Sequence, residues 1–326
     1  MAGVRFARVD FRRELELLLA QVPVGRVTRC GDLANALGDN HASLAVFRFL
    51  REHPDVPGGH RVVTQRGHAA VPDAFRKLRA EGLRDEFPPF AAFQEHRPLA
   101  ALQKEQILIA ANVSRRNGFC TIRTIGAVDV AYAGERGFAS LVVVDANGAL
   151  KEEVLASQTV EFPYVPTYLA YREFPLIETA FRRLSECPSV LLVDGHGRLH
   201  PRRCGIACTV GVKLGVPTIG VAKSPLVETP HPRPTIGQAV AIRNGRELLG
   251  YALRTGGSVR PLYVSTGHRV APTTAVRIVR GLCVTRIPEP LRIADAHASE
   301  WKEQRKKLRK RIELAPSPKE GNDRAE

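Results

Sequence analysis

From about residue 124 to residue 222, short apolar runs alternate with longer amphipathic stretches, and this alternation limits the fold more than any other feature of the chain. TIGAVDVAYA and FASLVVVDANGAL read as strands, and the Asn-Gly of the second is a turn signal. VLASQTVEF follows, then a helix from about Thr167 to Leu184 and the apolar strand VLLVD. A helix near CGIACTVGVKLG leads into the strand PTIGVA, and LAALQKEQILIAANV is a lead-in helix before the whole series. Strand-helix alternation of this kind builds an α/β sheet packed between helices. A hairpin followed by crossovers implies a mixed sheet.

The first segment has another character. FRRELELLLAQV carries apolar residues at helical spacing, and a Pro-Val-Gly break follows at Pro23 to Gly25. CGDLANALG and ASLAVFRFLREH are two short helical candidates separated by Gly38, Asp39 and Asn40, a helix-turn-helix pattern. VPGGHRVVTQRG reads as loop, short strand and turn. FPPFAAFQEHRP, from Phe87 to Pro98, carries three prolines without periodicity and is read as a linker. The expected units are therefore 1–93, 94–300 and a basic tail, 301–326. WKEQRKKLRKRIEL holds seven basic residues between Lys302 and Arg311, either a solvated helix or a track along phosphates, and the last dozen residues are expected to be disordered.

The chain has 326 residues, more than one core usually organises, and its 44% hydrophobic content lets both halves bury a core. Its net charge of +15 favours an anionic partner, nucleic acid before an acidic membrane surface. No run approaches the roughly 18–20 apolar residues that span a bilayer. The beginning, MAGVRFARVDFRR, lacks an apolar signal core, so a cytoplasmic location is expected. Of the six cysteines only Cys204 and Cys208 lie close together, and no second pair completes a zinc set. Reduced thiols in cores are expected.

Three acids stand out. Asp129 lies within the apolar pattern AVDVAY, where an ionised carboxylate is costly unless paired or bound to a metal. Asp194 ends the strand VLLVD, and carboxyl ends of strands are where α/β sheets place ligands. Glu173 lies on the helix after Pro163-Tyr164-Val165-Pro166. Meeting over one sheet edge, they would suit Mg2+, with Mn2+ able to substitute.

TIGAVDVAY, PYVPTYLAYRE, DGHGRLHPRRCGIACTVGVKLGVPTIGVAKSPL, GHRVAPTTAV and RIPEPLRIADAHA, in this order, resemble endonuclease V, the deoxyinosine 3′ endonuclease, over roughly 98–300. The resemblance implies an RNase H-like mixed sheet flanked by helices. It implies metal ligation by Asp129 and Asp194 with Glu173 as third acid, Lys223 facing the phosphate, and His268 near the same centre to shuttle a proton or orient water. Tyr164 matches the family's wedge aromatic, stiffened by Pro163 and Pro166, and Arg172 follows it on the substrate side. Backbone groups at Gly195 to Gly197 would read the flipped base, and His200 would contact the strand or the base. One departure is Thr167-Tyr168, where the family often has glycine and an aliphatic residue.

VPVGRVTRCGDLANALG, FRFLREHP and GHRVVTQRG resemble the C-terminal DNA-binding part of alkylguanine DNA alkyltransferases, a winged-helix-like unit. Gly59 stands before His60-Arg61 where those enzymes carry the reactive cysteine, so alkyl transfer lacks its nucleophile. Leu44 or Ser43 stands where they carry an intercalating arginine. Docking on DNA would use the helix after Gly31, with phosphate contacts from Arg26, Arg29 and Arg48.

The expected function is a magnesium-dependent repair endonuclease that flips deoxyinosine and cuts a phosphodiester on its 3′ side, leaving 3′-hydroxyl and 5′-phosphate. Two alternatives stand beside it, a non-catalytic sensor of alkyl damage and an inosine-specific endoribonuclease. A monomer without membrane contact is expected.

Overall fold

Helical spacing of apolar residues organises the first ninety residues. The computed structural model describes residues 6–83, 87–94, 97–227, 232–256 and 260–314. Helix α1 (Phe11–Leu19) starts at Asp10, whose side chain accepts the Arg13 N–H, and buries Phe11, Leu15, Leu18 and Leu19. The short strand β1 (Thr28–Arg29) enters α2 (Cys30–Leu37), which ends at Gly38 with φ 104. That left-handed cap favours glycine, and a Cβ there would stand 3.2 Å from the backbone of Ala100. Asp39 then caps a 3-10 turn leading into α3 (Ser43–Glu52), which completes the helix-turn-helix. Strand β2 (Val62–Val63) pairs with β1 in parallel, and α4 (Ala74–Ala80), which the sequence reading did not foresee, closes the unit.

Residues 87–94 run back along this unit: the Val27 N–H donates to the Pro88 carbonyl, and the Phe90 N–H to that of Val27. Helix α5 (Pro98–Ala111) opens with proline at its first turn, as a helix start tolerates.

The second unit is built on one sheet. Its strands are β3 (Thr124–Ala133), β4 (Arg136–Asp145), β5 (Leu150–Thr159), then after helix α6 (Leu169–Phe181) β6 (Val190–Asp194), and after α7 (Ile206–Leu214) β7 (Thr218–Ala222). Three more strands follow, β8 (Ala239–Asn244), β9 (Glu247–Leu253) and β10 (Leu262–His268), then α8 (Pro272–Leu282) and α9 (Glu289–Leu314). The order is β5-β4-β3-β6-β7-β10-β9-β8, with β3, β6 and β7 parallel and the outer pairs antiparallel. It is a mixed α/β sheet flanked by helices.

Strand parity assigns the two faces. Ile125 and Ala127 join Leu192, Val221 and residues of α8 and α9 in one apolar layer, while Val128, Leu191 and Val193 join α6 and α7 in the other. Trp301 of α9 meets the Phe138 ring edge-on at 5.3 Å, so the basic C-terminal stretch begins anchored on β4. The expected disordered end, 315–326, lies outside the described residues.

A third apolar cluster crosses between the units. Phe11, Leu33, Leu37 and Phe49 pack with Leu99 and Leu102 of α5 and with Phe162, Val165, Tyr168 and Tyr171. Among the described residues no helix is long and apolar enough to cross a membrane.

Candidate active site

The parallel register of β3 and β6, with Val128 opposite Val193, sets Asp129 and Asp194 side by side at one end of the sheet. Both follow the parity of the layer beneath α9. Lys223 leaves the adjacent β7, and its Nζ lies 2.6 Å from an oxygen of Asp194. Burial first, then Asp194 and a hydrogen bond shared with Asp295 of α9, push the Asp129 carboxyl well above the ordinary range. For Lys223 burial works the other way, but Asp194 and Asp129 outweigh it and hold the ammonium charged.

Glu173 comes from α6 on the opposite face and is buried. The Tyr132 hydroxyl donates to it at 2.8 Å, yet burial and the charge of Asp194 push its carboxyl up to about 8. Asp129, Glu173, Asp194 and Lys223 line one cavity of about 370 Å³ with Tyr164, Gly195 and His196. Among the described residues no three acid, histidine or cysteine side chains form a closed ligand shell. The chemistry of the donor set nevertheless fits a hard divalent cation: converging carboxylate oxygens, two of them on groups that burial and mutual repulsion strain toward neutrality.

Tyr164 is 53% exposed at the cavity rim, while its neighbours Phe162 and Val165 are buried in the cluster shared with the N-terminal unit. The Pro-x-x-Pro turn therefore holds an aromatic ring out from a rooted base.

Four sequence expectations change. His268 is not at this centre. It pairs with Thr218 at the start of β7, five residues before Lys223, which places it roughly 16 Å away at the rise of a strand. There its Nδ1 accepts the Ser114 N–H at 3.2 Å, and burial lowers its pKa. Gly197 does not read a base: its N–H donates to Ser265 Oγ, its carbonyl accepts from Gly205, and a Cβ would lie 2.2 Å from the Thr266 carbonyl. It is a close-packing glycine. Arg172 turns away to the Phe162 carbonyl at 2.7 Å and over the Tyr132 ring at 4.2 Å, so it braces the Pro-x-x-Pro turn from behind. His200 borders the cavity, but Nε2 donates to the Thr167 carbonyl and Nδ1 accepts the Arg202 N–H, leaving no ring nitrogen for a base. Burial holds its pKa down at about 3, so it stays neutral.

Two residues escaped the sequence reading. Asp295 sits inside the quoted stretch RIADAHA, but an acid on an amphipathic helix looks like solvated surface until α9 is laid over β3. His196 follows Gly195 into the cavity. Its Nδ1 is buried without a hydrogen-bond partner among the described residues, and burial holds it neutral with a pKa of about 4.

In the N-terminal unit, Gly59 is buried against Leu50 and Val71. Cys30 is also buried, and burial pushes its thiol up to about 11, which favours the protonated form. Arg26, Arg29 and Arg48 are exposed.

The endonuclease V family model matches residues 106–296. The chain belongs to the endonuclease V family. It is 45% identical to endonuclease V of Roseiflexus castenholzii over 197 residues, 59% of this chain and 88% of that one. A bifunctional methyltransferase/endonuclease of Picrophilus torridus is 32% identical over 305 residues, 88% of this chain and 95% of its own, so that likeness runs into the N-terminal unit. Human endonuclease V superposes with a TM-score of 0.60 at 33% identity, covering 64% of this chain and 99% of that one. The Ciona intestinalis enzyme, solved with a 23-mer DNA containing an inosine followed by a ribo-adenosine, gives 0.59 at 27% identity, over 64% and 98% of the two chains. The chain is thus a nuclease of a metal-dependent DNA-repair family, and the cavity lies within the matched region.

Proposed function

We propose that this chain cuts DNA beside deoxyinosine, hydrolysing a phosphodiester on the 3′ side and leaving 3′-hydroxyl and 5′-phosphate. The observation that carries this reading is the meeting of Asp129, Asp194 and Glu173 in one cavity beneath the exposed ring of Tyr164. The Ciona relative bound to inosine-containing DNA supports the substrate class.

The three acids would hold Mg2+, or Mn2+ in its place. When bound, that cation supplies Lewis acidity to the phosphodiester and lowers the pKa of the attacking water. The remaining work falls to the chain. Lys223, held beside Asp194, presents its charge to the substrate phosphate. Tyr164 stacks into the gap left by the flipped base, and flipping costs a few kcal/mol, least where pairing is already weak. Gly195 and His196 line the cavity where the base would arrive, and the unpartnered Nδ1 of His196 can accept from its edge. The N-terminal unit is a nucleophile-free, alkyltransferase-like helix-turn-helix that rests on the flanking duplex through α2 and α3.

Nicking of a deoxyinosine duplex with Mg2+ tests this reading, with matched adenine DNA and inosine RNA alongside. Full activity in Asp129→Ala or Asp194→Ala would overturn it, and faster cutting of the RNA would transfer the assignment to an endoribonuclease.

A further inference from the structure

The two residues that depart from the family's pattern after the second proline are both tied down from outside the wedge turn. Thr167 is β-branched yet sits at φ 70, a conformation such residues rarely adopt. Its hydroxyl accepts from Arg202, and its carbonyl accepts from Gln106 Nε2 at 2.8 Å and from His200 Nε2 at 2.9 Å. Tyr168 is completely buried, and its hydroxyl donates to Oδ2 of Asp39 at 2.6 Å. Gln103 donates to both, at 2.8 Å and 3.1 Å, and the Arg202 guanidinium lies 4.6 Å from the Tyr168 ring.

Asp39 is the turn residue of the helix-turn-helix. Its other oxygen accepts the His41 N–H at 2.9 Å and meets His41 Nδ1 at 2.7 Å, which forms the turn that starts α3. One buried carboxylate thus carries the start of α3 on one oxygen and the wedge turn on the other. Packing alone does not call for this chemistry, since phenylalanine would fill the same apolar space. The groove lined by His41, Pro166 and Thr167 shares Thr167 and Leu226 with the catalytic cavity, so the two sites adjoin.

We propose that the N-terminal unit is a clamp on the wedge: Asp39 and Tyr168 are positioning residues that set Tyr164 for base opening and couple it to DNA resting on α3. This rests on the reading of Tyr164 as the wedge. The Thr-Tyr departure is then the adaptation by which a nuclease fused behind a helix-turn-helix takes its wedge geometry from that partner.

The experiment uses full-length Tyr168→Phe and Asp39→Asn, each checked for a melting temperature near that of the parent, on a duplex with 2-aminopurine beside deoxyinosine. We expect the fluorescence rise on binding to fall about threefold and KM to rise about fivefold, with kcat on deoxyinosine in an unpaired bubble within about twofold of the parent. In a Tyr164→Ala background neither variant should cause further loss, since coupled residues are not additive. Parent-like fluorescence and KM in both folded variants would overturn the clamp. So would equal loss on duplex and bubble, or full additivity with Tyr164→Ala. A parent that leaves deoxyinosine DNA uncut would instead remove the proposed function, whereas an active parent with indifferent variants removes only the clamp.

Discussion

Glu81 in the N-terminal unit and Glu173 in the nuclease cavity are the same residue type in opposite circumstances. Arg61 donates to Glu81 at 2.7 Å, His60 meets it at 2.8 Å, and the Gly25 N–H adds a third partner, so its carboxyl is held down at about 2. Glu173 has one neutral donor, Tyr132, and faces Asp194, and with burial this pushes it up to about 8. A carboxylate surrounded by donors is finished structure. One surrounded by other carboxylates is completed by something the chain binds. Arg61 and His60 already pair with Glu81, whereas Glu173 faces a second carboxylate across the cavity.

The comparison can be broken most sharply by swapping each acid for its amide. Glu173→Gln should cut kcat by on the order of 10²–10³ and leave the melting temperature unchanged or higher, because an uncompensated buried acid is removed. Unimpaired nicking would place the metal elsewhere. Next in size is removal of residues 1–93. Leu99, Leu102, Phe162, Val165 and Tyr168 would lose apolar cover, so the remaining chain should self-associate in sizing chromatography or melt at least about 10 °C lower. A monomer as stable as the whole chain would show the shared core to be dispensable.

Glu81→Gln should cost about 2 kcal/mol in denaturant unfolding and leave nicking intact. The sign of its pH dependence follows from a folded pKa near 2 against the ordinary 4.5. Its contribution is full above about 4.5 and is lost as the pH falls toward 2, so the parent and the variant should converge in stability at acid pH. The smallest effect is expected from His268→Ala, with kcat within about threefold of the parent, as for a residue that touches no reacting group. A hundredfold loss would return His268 to the chemistry.

The strands carrying Asp129 and Asp194 were legible because an acid at the end or in the middle of an apolar run breaks a simple pattern. The turn that holds Tyr164 out at the cavity rim was legible because two prolines frame a tyrosine. Strands β8, β9 and β10 were not foreseen, since their mixed composition gives little alternation. His268 misled for a related reason: a motif says that a residue has a role near a strand end but not which end. An antiparallel neighbour reverses direction, and that reversal carried His268 to the far edge of the sheet. Gly197 and Arg172 lie beside true cavity residues in sequence, but their polar groups are taken up by Ser265, Gly205 and Phe162.

The sequence by itself determined the order of elements from β3 to β7, the identity of the acids and the absence of a thiol before His60, because these are local facts of periodicity and residue type. Only the tertiary structure decided which acids converge, that Asp295 joins them, and that Asp39 reaches Tyr168 across 129 positions of chain. Those outcomes depend on strand register and on one shared apolar core, which arise from packing between distant segments and leave no periodic trace in either.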